Sequence, residues 1–386
     1  MHGLTILESA TGPRSIGRAS LAVIGIVATA TATGEAQAAL DQAFPLDTPV
    51  LIAGNVDAAA GKAGSGGTLG PALRAIGDQS SPIVVVVRVA EGDDPAETAT
   101  NVIGGTDGNI YTGMQALLAA EAQLGVRPRI LGTPGLDSAA VTAELITIAQ
   151  KLRGMAYAAA IGDDVAEAKI YRDTFGAREL MLIWPDTSAS TAFPGDIVAR
   201  ALGLRAKIDE EQGWHKTISN VVLGGVTGLS RDVHFDLLDP STEAGDLNEA
   251  QITTVIRQSG FRLWGNRTCA GEQQPEFSFE SAVRTSHALQ DIIALIVAPF
   301  LDQPMTAALI KDLLETGNAR FRQLVVEGRI VGAEMFFDED ENSAQELAAG
   351  RPKFRIQYTP AAPLENPSVD LQITDFYYTG FADQLV

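Results

Sequence analysis

Six carboxylates fall in two short stretches, Asp209-Glu210-Glu211 and then Asp236, Asp239 and Glu243. Paired acids are the raw material of glycoside hydrolysis or of a Ca²⁺ site. Neither chemistry finds its spacing: the regular oxygen ligands of a Ca²⁺ loop are missing, and nothing local sets the separation of the two groups. Solvated acidic loops are the expectation. Residues 61–68 (GKAGSGGT) hold the glycines, lysine and hydroxyls of a phosphate loop in the wrong order. A phosphate cradle needs Lys and Ser/Thr after the glycines, where a helix start aims its free N–H groups, and here Lys62 comes first. The dinucleotide pattern G-x-G-x-x-G also fails, because Leu69 stands where the third glycine belongs. A flexible surface loop is expected. Cys269 is the single cysteine, and His2, His215, His234 and His287 stand at no ligand spacing, so no disulfide, metal or cofactor is expected. With no G-x-S-x-G and no H-E-x-x-H, the chain offers no catalytic cluster.

The composition narrows the partners. At 386 residues and 46% hydrophobic content the chain is long enough for two or three cores. Carboxylates outnumber cations 48 to 28, and the formal charge of −20 argues against a phosphate-binding surface and hence against nucleic acid. Arg14 and Arg18 precede an apolar run, residues 19–30, and Ala36-Gln37-Ala38 imitates a leader cleavage site. The run is rich in Val, Ile and Gly, and Glu8 lies inside the supposed basic region, so it reads as a strand. Nowhere do eighteen apolar residues follow one another, so no membrane span is expected.

The elements that would position any site alternate regularly. Residues 20–27, 49–52 and 83–87 read as strands, the last a continuous apolar run of the kind buried on both faces of a parallel sheet. Leu69, Leu73 and Ile76 recur at helical spacing. Asp94 with Pro95 starts a helix, Thr112 another that ends at Gly125, and residues 138–153 a third. Strands over 129–131, 155–161 and 179–184, with a helix over 163–175, complete a pattern that predicts a doubly wound parallel sheet. Beyond Ala206 the texture becomes α+β, with long helices expected over 280–296 and 305–326 and a strand over 354–358. Leu4 and Ile6 near one end, and Val369, Leu371 and Ile373 near the other, alternate like short strands set off by Pro/Gly links. The expected organisation is α/β followed by α+β: a 1–20 arm, a 21–95 small outer region, a 96–208 doubly wound domain, a 209–365 core domain and a 366–386 arm.

Residues 256–268 read IRQSGFRLWGNRT. The alternation sends Phe261 and Leu263 to one sheet face and Arg262 and Trp264 to the other, after a turn at Ser259-Gly260. By residue type this is a buried strand without chemistry. As a string, with Ile256, Arg257, Gly260, Phe261, Arg262, Trp264, Gly265 and Arg267, it resembles the signature of contractile tail sheath proteins of myoviruses and R-type pyocins. Other matching strings stand in the family's order: GMQALL at 113–118, RILGTPG at 129–135, QKLR at 150–153, YRDTFGARELMLIWP at 171–185, GVTG at 225–228, ENP at 365–367 and ITD at 373–375.

The resemblance implies a structural subunit and no enzyme. It implies hexameric rings stacked helically around a tail tube, with both terminal arms adding strands to neighbours, and contraction that drives the tube through a cell envelope. The implied partners are further copies of the chain, the tube protein, and the baseplate and tail terminator proteins, with no nucleic acid and no membrane. The implied location is the virion tail, after assembly in the host cytoplasm. The 209–365 domain would face the tube, and its second helix makes Lys311, Arg320 and Arg322 the candidate tube contacts. Two other readings stand beside this one: the sheath of a tailocin or cellular injection device, and a nucleotide-dependent enzyme on a doubly wound fold.

Overall fold

The computed structural model describes residues 21–108, 110–188 and 193–379. A continuous apolar run has no face to show water, and two such runs lie side by side inside the main sheet. β1 (Ile24–Thr29) and β3 (Val84–Val89) are buried throughout and pair in parallel, Ile24 opposite Val84 and Thr29 opposite Val89. Residues 24–29 of the apolar run that imitates a leader are therefore an interior strand.

In chain order, α1 (Glu35–Ala43) leads to β2 (Pro49–Ile52), which lies antiparallel on the outer side of β3. α2 (Val56–Ala60) and α3 (Leu69–Gly77) follow, with Leu69, Leu73 and Ile76 fully buried. α4 (Pro95–Ile103) begins as its residues predict, Asp94 accepting a hydrogen bond from the Glu97 N–H at 2.7 Å. After the small hairpin of β4 (Thr106–Asp107) and β5 (Ile110–Tyr111), the helix expected from Thr112 starts as a 3₁₀ stretch, Gly113–Ala119. Its three-residue period aligns Met114 and Leu117, and Ala120 continues the line, all fully buried. It then becomes α5 (Ala120–Leu124), closed by Gly125 in the left-handed region.

β6 (Ile130–Gly132), α6 (Ala139–Leu152), β7 (Met155–Ala159), α7 (Val165–Arg172) and β8 (Leu180–Ile183) then alternate as expected. α8 (Asp196–Glu211) was not legible, because buried charges interrupt its apolar pattern. α9 (Glu243–Glu249), β9 (Ile252–Arg257) and β10 (Phe261–Trp264) finish the main sheet. Its order is β10-β9-β8-β7-β6-β1-β3-β2, with only β2 and β10 antiparallel to their neighbours. α3 and α8 cover one face over Ile24, Ile26, Val84 and Val86, while α6 and the 3₁₀ stretch cover the other over Val27, Val85, Val87 and Leu131. The sheet takes strands from all three segments expected over 21–95, 96–208 and 209–365.

A second layer is built from α10 (Glu280–Val297), α11 (Ala307–Val326) and an antiparallel pair, β11 (Ile330–Phe337) with β12 (Phe354–Pro360), linked through α12 (Ala344–Ala348). Its own core holds Leu289, Leu313, Phe321, Leu324 and Met335, together with Leu21 and Trp214.

Candidate functional site at the hairpin and the arm roots

Ser259 and Gly260 take φ of 51° and 108° and turn β9 back onto β10, placing Phe261 opposite Arg257 and Trp264 opposite Thr254. Phe261 and Leu263 join the core on the α3/α8 face, as the alternation predicts, and Ile256 is fully buried. On the other side Arg262 donates to the carbonyl oxygens of Asn220 at 3.0 Å and Gln258 at 2.8 Å, and Trp264 meets Phe235 edge-on at 5.0 Å. Arg257 is exposed and lies over the Phe261 ring at 5.6 Å. Gly265 sits at φ 134°, where a Cβ would stand 2.8 Å from the Thr253 Cα, so glycine alone lets the chain leave the strand there.

Arg267 reaches farthest. Its Nε donates to Glu365 Oε1 at 2.9 Å, its Nη2 to Oε2, and its Nη1 to Ser278 Oγ at 2.9 Å, while the guanidinium lies 4.1 Å over the Phe279 ring. Glu365 immediately precedes residues 366–386, the segment expected as the C-terminal arm. Within that segment Val369, Leu371 and Ile373 are 83%, 91% and 98% exposed and the strand expected there does not form. An extended segment becomes a strand only when another edge supplies hydrogen-bond partners, and none pairs with these residues among the described ones. At the other end, Leu21 is buried and its carbonyl oxygen accepts from Arg284 Nη2 at 3.3 Å. Leu4 and Ile6 lie outside the described residues.

Arg284 also belongs to a buried ionic network that overturns one expectation. Asp209 is no solvated loop acid: at 3% side-chain exposure it takes Arg205 Nη2 on Oδ1 at 2.8 Å and Arg284 on Oδ2. Glu280 joins through Arg205 at 3.4 Å and accepts from the Tyr157 hydroxyl at 2.6 Å. Burial pulls the Arg205 guanidinium down, but Asp209 and Glu280 more than offset it and hold Arg205 above its ordinary range. Burial, reinforced by the Glu280 charge, pushes the Tyr157 phenol well up. The network ties α8 and β7 to α10, and so the sheet to the second layer. Only the spacing of Arg205 to Asp209 and Glu280 to Arg284, each i to i+4, signals it in sequence. The other five acids are exposed, with Asp236, Asp239 and Glu243 accepting local backbone N–H bonds.

On α11 the three candidate cations do not share a face. Lys311 and Arg322 lie on the exposed stripe, Arg322 at 3.6 Å from Glu315, whereas Arg320 is turned to Gln323 at 2.6 Å and toward Glu327. The glycine-rich loop is pinned and not free. The N–H groups of Ser65 and Gly66 donate to the Thr31 carbonyl oxygen at 3.0 Å, and Thr29 and Thr68 exchange hydrogen bonds at 3.2 Å. A Cβ at Gly67 would run into the Thr29 carbonyl. The chain's own loop is thus bonded to the residues that end and follow β1, the end of the strand at which a doubly wound sheet would hold a nucleotide. Among the described residues no group of three or more His, Cys, Asp or Glu could hold a metal ion.

Two layers locked by buried charge, with an exposed extended terminus leaving an anchored root, define an assembly subunit. Comparisons agree. The phage tail sheath protein central domain family matches residues 109–269, and the domain III N-terminal region of the tail sheath protein Gp18 matches residues 24–89. The chain is 48% identical to the tail sheath protein of Escherichia phage P2, covering 97% of this chain and 96% of that one. It is 43% identical to the major tail sheath protein of Serratia phage KSP20, covering 98% and 96%. Its fold resembles the helical sheath of the anti-feeding prophage in the contracted state, with a TM-score of 0.70 at 19% identity over 97% of this chain and 98% of that one. The chain belongs to the phage tail sheath protein family.

Proposed function

We propose that the chain polymerises as stacked hexameric rings around a tail tube and contracts to drive that tube through the target envelope. One observation carries the reading: residues 366–375 leave the Arg267–Glu365 anchor as an exposed extended segment, while the β11–β12 pair has no third strand among the described residues. Each supplies what the other lacks, so the arm of one copy adds to the β11–β12 edge of a neighbour. Main-chain hydrogen bonds of that kind survive a large rotation of the body if the link flexes, and this is how a mesh contracts without losing subunits.

The arms are residues 1–20 and 366–386. The body between them keeps the doubly wound reading, supported by helices against both sheet faces, and its 209–365 segment faces the tube. Lys311 and Arg322, on the exposed stripe of α11, are the leading tube contacts, with Arg320 steadying the helix through Gln323. Few polar contacts suit release during sliding. Baseplate and terminator proteins bind the ends of the stack, and the particle is a virion tail assembled in the host cytoplasm. The phage relatives at 43–48% identity favour this over an injection device, whose likeness here is one of fold.

Negative-stain microscopy of the purified full chain tests the proposal. Hollow cross-striated tubes are expected, and they should vanish when residues 1–12 or 368–386 are deleted, leaving folded single subunits. Normal tubes from either truncation would refute the mesh. Reversing charge at Lys311 and Arg322 should impair assembly with tube protein, and unaltered assembly removes that contact.

A further inference from the structure

Strands β1, β3, β6, β7, β8 and β9 all run one way, so the sheet has a starting edge and a finishing edge. Arginines recur at the starting edge, Arg129 entering β6, Arg153 entering β7 and Arg178 entering β8, with Asp291 and Glu179 paired to them, whereas Glu91, Asp93 and Asp94 follow β3, Asp163 and Asp164 follow β7, and Asp186 follows β8.

On the starting edge a polar cleft of about 540 Å³ opens between α6, the loop into β8 and α10. Arg178 and Arg153 line it together with Glu179 and the side-chain amides of Gln150, Gln274 and Gln290, of which Gln150 donates to Glu179 at 3.2 Å and Gln290 to Ser286 at 3.3 Å. Arg178 is held flat over Phe277 at 4.2 Å, with its Nε on Glu179 at 2.8 Å. Its two terminal nitrogens have no protein partner among the described residues. Arg153 donates through Nε to Asp291 at 3.3 Å and is 36% exposed. The cleft is thus rich in preorganised donors on a chain of charge −20.

On the finishing edge two loops repeat one design, Gly92-Asp93-Asp94 and Gly162-Asp163-Asp164. Asp94 accepts from the Glu97 N–H at 2.7 Å while Glu97 accepts from the Asp93 N–H at 2.7 Å. Asp164 and Glu167 do the same at 2.9 and 2.8 Å. Each box locks its loop and leaves one exposed carboxylate, Asp93 or Asp163, with no partner among the described residues. Loops already ordered lose little entropy on contact.

We propose that the basic cleft of one copy receives the Asp93 and Asp163 loops of a second copy, so that copies join head to tail along the strand direction. This deepens the sheath reading and rests on it. A second copy brings the matching carboxylates on its opposite edge, and pairing at this contact works against the general repulsion between two bodies that each carry −20. A contact between two different surfaces propagates into rings and helices instead of stopping at a dimer, as a sheath requires.

The test uses the full chain carrying Arg178→Glu, or Asp93→Lys with Asp163→Lys, and follows tube formation by light scattering and microscopy, with thermal unfolding to verify the fold. Each variant alone should assemble about tenfold more slowly than wild type. The two mixed should recover, since the reversed cleft of one then meets the reversed loops of the other, and the triple variant should recover likewise. The neutral pair Arg178→Gln and Asp163→Asn should show the same order with smaller effects. Folded variants that form tubes at the wild-type rate, or mixtures that stay as slow as the single variants, overturn the head-to-tail contact and leave the sheath reading standing. A wild-type chain that never forms tubes removes both.

Discussion

Arg267 and Glu365 stand 98 positions apart in the chain and meet through a forked pair of N–H···O contacts, with the guanidinium stacked on Phe279. The ring and the Ser278 hydroxyl fix the arginine, so the pair sets where the C-terminal segment leaves the body. Both side chains are about one-third exposed, 31% and 37%, so the pair contributes at most about 1 kcal/mol to stability. Its effect is on direction. With spin labels at Leu371→Cys and Ile170→Cys, Arg267→Ala should broaden the distance distribution while leaving the unfolding midpoint nearly unchanged. An unaltered distribution would show that the arm root is set elsewhere.

The Asp209 network should behave in the opposite way, as a determinant of stability. Replacing Asp209 by Ala leaves Arg205 and Arg284 sharing Glu280 alone, one buried charge uncompensated, which costs about 3–5 kcal/mol. Urea unfolding measures this directly, and a loss below about 1 kcal/mol would count against the network.

His287 makes stability depend on acid. Burial, aided by the Arg284, Arg129 and Arg178 charges, pushes its imidazole down to about 3 from an ordinary 6.5. The folded chain therefore holds it neutral, and the unfolded chain takes up the proton first. Its contribution is complete above pH 6.5 and falls by about 1.4 kcal/mol per unit as pH drops toward 3. His287→Gln should flatten the stability profile across that window relative to wild type, and parallel profiles would refute the assignment.

Cys269 should be silent. It is fully buried, and burial pushes its thiol up to about 12. A thiol reagent at pH 8 should leave the folded chain unmodified and titrate one group in denaturant. Fast modification of the folded chain would contradict the burial. The same silence lets the spin labels above be placed without removing the native cysteine.

Local rules recovered much of the sheet. The apolar run at 83–87, the Asp94 cap, the Gly125 stop and the Ser259-Gly260 turn all reported true structure, because period, capping and turn chemistry act over a few residues. α8 escaped because Asp196, Arg200 and Arg205 occupy its buried face, and a pattern of apolar spacing does not count charges neutralised by partners one turn away and by the distant Asp78 and Glu280.

The sequence by itself determined most strands of the main sheet and, through residues 256–268, the family. Tertiary structure alone decided which distant charges meet: Arg267 with Glu365, Arg284 with Asp209 and Arg205 with Glu280, while the terminal nitrogens of Arg178 face a cleft with no partner among the described residues. It also decided that residues 369–373 are an open segment within the single chain. Propensity is local, whereas an ion pair or a β-ladder exists only between segments that folding brings together, and their separation in sequence carries no sign of it.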